Sequence, residues 1–144
     1  DDNKVYVVEN EMVFSYLLKE MRNKHVAIIC TSGQLSTTAQ KIIYLLAENH
    51  NQIYYSGDCD PEGLVICDKL FQKYPNQLHV WRMHPKDYQN SISQETISEA
   101  RLRQLENLEN VVLKQTALQM QEMRKSGYQE NILEYFLDDL KYDK

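Results

Sequence analysis

Four short runs of β-branched and aromatic residues, separated by stretches of helical spacing, constrain this chain more than any other feature. Residues 4–8 (KVYVV), 25–30 (HVAIIC), 52–56 (QIYYS) and 78–81 (LHVW) each read as a buried strand. Asn10 can cap a first intervening helix, with Val13, Tyr16 and Leu17 on its apolar side. Ser36 or Thr37 starts a second, which runs to about Asn49 with Ile42, Ile43, Leu45 and Leu46 inward. Pro61 suits the first position of a third, held to the core by Leu64, Ile66, Leu70 and Phe71 and stopped at Tyr74-Pro75-Asn76. Strands joined by helical segments imply right-handed crossovers. The expected fold is therefore α/β, a mostly parallel four-stranded sheet with flanking helices. From about Ser91 onward no strand is expected. Ser91 with Gln94 fits a capping box at a helix start, and Ile97, Leu102, Leu105 and Leu108 form an apolar stripe. Residues 111–125 and 131–140 read as two more helices, parted by Ser126-Gly127. The 144 residues thus divide into a core over 1–90 and a helical C-terminal extension over 91–144, packed on the same domain.

Acids stand where these strands end. Glu9 follows the first strand directly, and Asp58 and Asp60 follow the third through Gly57. In a parallel sheet such ends share the carboxyl edge, where open α/β sheets bind ligands. Asp58 and Asp60, two apart, send their side chains the same way if extended. Carboxylates held together repel unless a cation lies between them. Hard oxygen donors suit Mg²⁺ or Mn²⁺, and Mg²⁺ keeps several waters and shares phosphate oxygens. Two such ions can hold the attacking and leaving oxygens of a phosphodiester. Gly57 lets the backbone turn before the acids, and Gly63 lets the chain pack closely under the next helix, whose N-terminus would face phosphate. The same residues also read as a surface turn in which an Asp caps a helix, and the pattern alone leaves both readings open.

Residues 7–10 (VVEN), the Thr31-Ser32-Gly33 loop and residues 54–63 (YYSGDCDPEG) together resemble the Toprim domain of topoisomerases, primases and some nucleases. The closest flavour is similar to the A subunit of topoisomerase VI and its meiotic double-strand-break relatives. The whole stretch also resembles the C-terminal domain of a bacterial family of unknown function, related to the Toprim subunit of Wadjet plasmid-defence systems. The resemblance implies a Toprim (Rossmann-like) fold, with Glu9 as general base or metal ligand and Asp58 and Asp60 as ligands of Mg²⁺ or Mn²⁺. It implies phosphodiester cleavage in DNA. The chain departs from the pattern at Asn10, where many Toprim domains have Gly, and at Glu62, where the topoisomerase VI type has an aromatic residue. None of the ten tyrosines matches that type's nucleophile, which comes from a separate upstream domain.

Lesser candidates surround the three acids. Glu62 and Glu11 would widen the site to a second metal, or simply favour a helix dipole. Thr31, Ser32 and Gly33 would contact phosphate, or only begin a helix. Arg82, His84 and Lys86 form the best local basic cluster, with Arg82 a candidate phosphate contact. Lys69 and Lys73 would touch DNA backbone, or stand on a solvated face. Glu130 is a late acid or a helix-start residue. His25, His50 and His79 are scattered and take no role. Met120 and Met123 read as core filler. The three cysteines, Cys30, Cys59 and Cys67, lack metal or disulfide spacing and read as buried free thiols of a reducing cytoplasm.

Charge sets the expected partners. The net charge is −5, from 16 Lys and Arg against 21 Asp and Glu, and residues 1–72 carry −4 of it. Such a composition does not suggest a nucleic-acid binder, because neutralising phosphate takes Lys and Arg. Bound metal would offset three of the negative charges. DNA affinity is then expected in an N-terminal region preceding these residues or in partner subunits, the chain reading as a domain cut from a longer protein. No apolar run is long enough to span a membrane and no signal peptide is visible. Three functions fit: a Mg²⁺-dependent DNA nuclease, the metal-binding half of a topoisomerase VI-like transesterase, and a non-catalytic module that binds nucleic acid or a partner. An aspartyl phosphotransferase fits poorly, since its acidic turn follows the first strand and puts Thr or Val where Glu62 stands.

Overall fold

The structure is a computed structural model and describes residues 3–32 and 37–142. Strands β1 (Lys4–Val8), β2 (Ile28–Cys30), β3 (Gln52–Ser56) and β4 (Leu78–Val80) form one all-parallel sheet in the order β2-β1-β3-β4. Helices α1 (Glu11–Glu20), α2 (Thr37–Glu48) and α3 (Pro61–Lys73) make the crossovers. Asn10 caps α1, its Oδ1 accepting from the N–H groups of Met12 and Val13. Pro61 opens α3 behind the cap residue Asp60. Ser36 lies outside the described residues.

The chain then runs through α4 (Pro85–Ser91), β5 (Ile92–Thr96), α5 (Glu99–Leu102), a 3₁₀ turn (Arg103–Asn107) and α6 (Val111–Met123). It ends through β6 (Lys125–Gly127), a second 3₁₀ turn (Gln129–Ile132) and α7 (Leu133–Lys141). No helix among the described residues is long and apolar enough to cross a membrane.

The period of two along β1 sorts the core. Val5 and Val7, with Ile53 and Tyr55, face α2, α3 and α6 through Ile43, Leu64, Cys67, Leu113 and Met120. Tyr6 and Val8, with Trp81, face α1 and α7 through Val13, Leu17, Phe136, Leu137 and Leu140. Tyr55 is fully buried and Tyr54 half-buried, as alternation requires. The apolar stripe of Ile97, Leu102, Leu105 and Leu108 is buried against the first of these clusters.

Several local expectations are corrected. Ser91 does not start a helix. It ends α4, its Oγ donating to the Tyr88 carbonyl and its own carbonyl accepting from the Tyr128 N–H. Residues beyond it form β5, paired antiparallel with β6, so two strands lie in the segment expected to be helical. Arg124, at φ 58°, reverses the chain after α6 into β6. The second strand begins at Ile28 rather than His25. On α2, Ile43 and Ala47 are buried while Ile42 and Leu45 are exposed. The edge strand β2, only three residues long, offers little sheet for them to cover. Met120 is core but Met123 is exposed. Cys59 and Cys67 are buried free thiols, and Cys30 is a half-buried one.

Candidate carboxylate site

The strand order places a switch point between β1 and β3, since the chain leaves β1 toward β2 and returns on its other side. Val8 pairs with Ser56 at the ends of these strands. The next residues, Glu9 and Gly57, therefore emerge side by side. A Cβ on Gly57 would lie 2.5 Å from Glu9 Oε1 and 2.6 Å from its carboxyl carbon, so a side chain there would push this carboxylate from its place. Glu9 is 6% exposed. Its Oε2 accepts from the Tyr55 hydroxyl at 2.9 Å, and its Oε1 accepts from the Asp58 N–H at 3.1 Å.

The turn that carries the aspartates is pinned from both sides. The Cys59 N–H and carbonyl exchange hydrogen bonds with Gly127, both at 2.8 Å, and Cys59 is buried. The flanking Asp58 and Asp60 stay half-buried. Asp60 caps α3, its Oδ1 accepting from the Gly63 N–H at 2.7 Å. A side chain on Gly63 would run into the Asp58 carbonyl oxygen. Asp58 Oδ1 accepts from the backbone N–H of Gln129 at 2.9 Å.

The three acids are crowded and desolvated. Burial pushes the Glu9 carboxyl up to about 7, with the charges of Asp58 and Asp60 adding to the rise against two hydrogen bonds that lower it. Burial likewise raises Asp60 to about 6, with repulsion from Asp58 and Glu62 adding to it. Asp58 is raised by burial and by the nearby charge of Glu130. Burial and the Glu9 charge raise the Tyr55 hydroxyl, so it stays protonated as a donor. Among the described residues, no three His, Cys, Asp or Glu side chains gather as a ready-made metal cage. A cavity of about 300 Å³ opens beside the acids, lined by Glu9, Asn10, Glu11, Met12, Ser32 and Asp58.

The other sequence candidates fall in different places. Ser32 reaches this cavity at φ 56°, whereas Gly33 lies outside the described residues. Thr31 is buried at the end of β2, its N–H donating to the Val8 carbonyl. Glu62 is held by Arg101 in a two-point pair at 3.1 and 2.6 Å, and by Gln104 at 2.6 Å. The Arg101 hydrogen bonds lower its carboxyl below the usual range. Arg82, at φ 55°, gives its guanidinium to Asp139, at 2.8 Å twice, and to Asp87 at 3.2 Å. With His84, Lys86, Tyr54 and Trp81 it lines a separate groove of about 520 Å³. Lys69 and Lys73 stand exposed on α3.

Two residues at the site escaped the sequence reading. Arg101 lies 4.0 Å from Asp60 and is a cation beside the acids. Gln129 is buried, its Oε1 accepting from the Asn10 N–H at 3.1 Å and its Nε2 donating to the Ser56 carbonyl at 2.9 Å. Neither belongs to a motif, and both arrive from the C-terminal segment. Glu130, beside Gln129, accepts from Asn10 Nδ2 at 3.3 Å.

A family model described as "Protein of unknown function C-terminus (DUF2399)" matches residues 1–140. No curated protein matches the chain.

Proposed function

The chain belongs to this family of C-terminal domains, whose description assigns no activity, and on that footing we propose that its carboxylate edge is a Toprim-type site for divalent-cation-dependent cleavage of DNA phosphodiesters. The proposal extends to kinship with the Toprim subunit of Wadjet systems and to action in a cytoplasm. The observation that carries it is the placement of Glu9, Asp58 and Asp60 at the ends of adjacent strands at the sheet's switch point, each carboxyl raised by burial. A protein that keeps three acids in such an environment stores repulsion that a cation relieves.

The donor set fits Mg²⁺ or Mn²⁺. All the donors are hard carboxylate oxygens, and Mg²⁺ is ordinarily held by one or two carboxylates plus water and substrate phosphate rather than by a closed protein cage. Among the described residues no three such side chains form a closed cage, so water and substrate phosphate would have to complete the coordination shell. Asp58 and Asp60 would hold the ion, with Glu9 as a further ligand or as base. When bound, the ion supplies charge stabilisation to the phosphoryl oxygens.

The chain's own residues do the rest. Glu9, near 7, is poised to take a proton from an attacking water at neutral pH. Tyr55 and the Asp58 N–H fix the orientation of its carboxylate. Tyr55, buried with its hydroxyl on Glu9, serves to hold that carboxylate, and the tyrosine of the transesterase reading would have to come from an upstream domain. Arg101, beside Asp60, is a cation within reach of a phosphate that approaches the DxD turn. DNA is delivered, on this reading, by a preceding N-terminal region or by partner subunits.

The test is incubation of supercoiled plasmid with Mg²⁺ or Mn²⁺ and either the full-length protein that carries this domain or its Asp58→Ala variant. Wild type should nick or linearise the plasmid only when the cation is present, and the variant should leave it intact. Equal cutting by both would remove the assignment.

A further inference from the structure

Gln129 sits where the two acid-bearing strands end, and its amide is used at both ends. The residue is 2% exposed. Its Oε1 accepts from the N–H of Asn10, the residue after Glu9, and its Nε2 donates to the carbonyl of Ser56, the last residue of β3. Its backbone N–H meanwhile donates to Asp58 Oδ1. One side chain thus ties the exit of β1 to the exit of β3, and its own backbone holds one of the acids between them.

The chemistry of the group matches the task. The position needs an acceptor toward Asn10 and a donor toward Ser56, and a neutral amide supplies one of each. A carboxylate would turn a lone pair on the Ser56 carbonyl, and an ammonium would turn a donor on the Asn10 N–H. Neutrality also adds no charge to a cluster already crowded with acids. Glu130, next in sequence, takes a hydrogen bond from the Asn10 side chain, so the same turn holds Asn10 at two points.

We infer that Gln129 is a positioning residue for the cation-binding carboxylates, so that the C-terminal segment completes the site instead of only covering the core. The inference rests on the proposed cation site. Gln129 fixes the spacing of Glu9 and Asp58 through the strand ends and the direction of the Asp58 carboxylate through its backbone. Residues that orient metal ligands in this way typically change metal affinity about 10–100-fold when replaced.

The test is a Mn²⁺ titration of the full chain followed by electron paramagnetic resonance, with circular dichroism melts on every variant. Wild type should bind Mn²⁺. Gln129→Met keeps the volume and removes both amide hydrogen bonds, and its affinity should fall about 10–100-fold. Leu113→Ala, in the core contact of α6, should lower the melting temperature while keeping wild-type affinity, which separates positioning from general destabilisation. If Gln129→Met does not fold, Gln129→Glu decides. It retains an acceptor for Asn10 and adds a negative charge, so attraction alone would tighten Mn²⁺ binding, whereas loss of positioning weakens it. Wild-type or tighter affinity in a folded variant would overturn the role of Gln129 and leave the cation site standing. Absence of Mn²⁺ binding by wild type would instead remove the cation site, and with it the role.

Discussion

Glu9 concentrates the physical tension of the molecule in one carboxyl group. It is held in place by Tyr55 and the Asp58 N–H, admitted by the missing side chain at Gly57, and buried beside two aspartates. Its value of about 7 and the value of about 6 at Asp60 lie above the ordinary 4.5 and 3.8. A carboxyl raised on folding contributes stability that is full below its ordinary value and disappears as pH rises through the folded one. The melting temperature of the metal-free chain should therefore fall from about pH 5 to about pH 7.5. Saturating Mg²⁺ at the upper end should recover the loss, and Glu9→Gln should flatten the profile. Glu62, lowered by Arg101, acts in the opposite sense below its ordinary value, which is why the scan starts near pH 5, and His79, lowered by burial, partly offsets the fall within the window. A melting temperature that rises across this window in calorimetry would contradict the picture of crowded, desolvated acids. At this scale the sequence was readable where a residue lies within a few positions of its strand's end, as Glu9, Asp58 and Asp60 do. Arg101 and Gln129 were not readable, because they reach Glu62 and Asp58 across 39 and 71 residues of chain, and nothing local marks an arginine or glutamine as bound for such a partner.

The start of α6 is placed by a buried polar residue as well as by its apolar face. Asp68, on α3 and 2% exposed, accepts from the N–H groups of Glu109 and Asn110 at 2.8–3.0 Å and from Gln72 at 2.7 Å. Asn110 in turn caps α6, its Oδ1 accepting from the Leu113 N–H at 3.0 Å. The start of α6 is thereby fixed to the middle of α3. Asp68→Ala leaves these donors without their acceptor and should lower the free energy of unfolding by about 1–3 kcal/mol, measured by urea denaturation, without altering Mn²⁺ affinity. A smaller effect than about 0.5 kcal/mol, the range of ordinary surface changes, would show that α6 is held by its apolar face alone. The parallel sheet and its helices were legible because dense β-branched runs and cap residues agree locally. The β5–β6 pair was not, because Gln94, Glu95 and Thr96 are exposed and polar, and the pairing depends on the reversal at Arg124. Likewise Ile42 and Leu45 have the spacing of an inward face, yet which face of α2 turns inward is decided by how much sheet lies beneath it.

Taken whole, the molecule brings its acids to one edge and locks that edge from its far end. Phe136, Leu137 and Leu140 of α7 share with Val13 and Leu17 of α1 the cover over Tyr6, Val8 and Trp81. The Trp81 indole and the Arg82 guanidinium both donate to Asp139 on the same helix. The turn that leads into α7 carries Gln129 to Asp58. Sheet, extension and site therefore share one architecture, and the family model spans all of it, through residue 140. The net charge of −5 acquires a specific meaning under the proposal, because a cation would offset the part of it carried at the sheet's switch point. The most direct test is a crystal soaked in Mn²⁺ and measured at the manganese absorption edge. An anomalous peak at the ends of β1 and β3, with oxygens of Asp58 or Asp60 about 2.1 Å away as hard cations require, is the expected result. A saturated crystal without a peak at that edge would contradict the account.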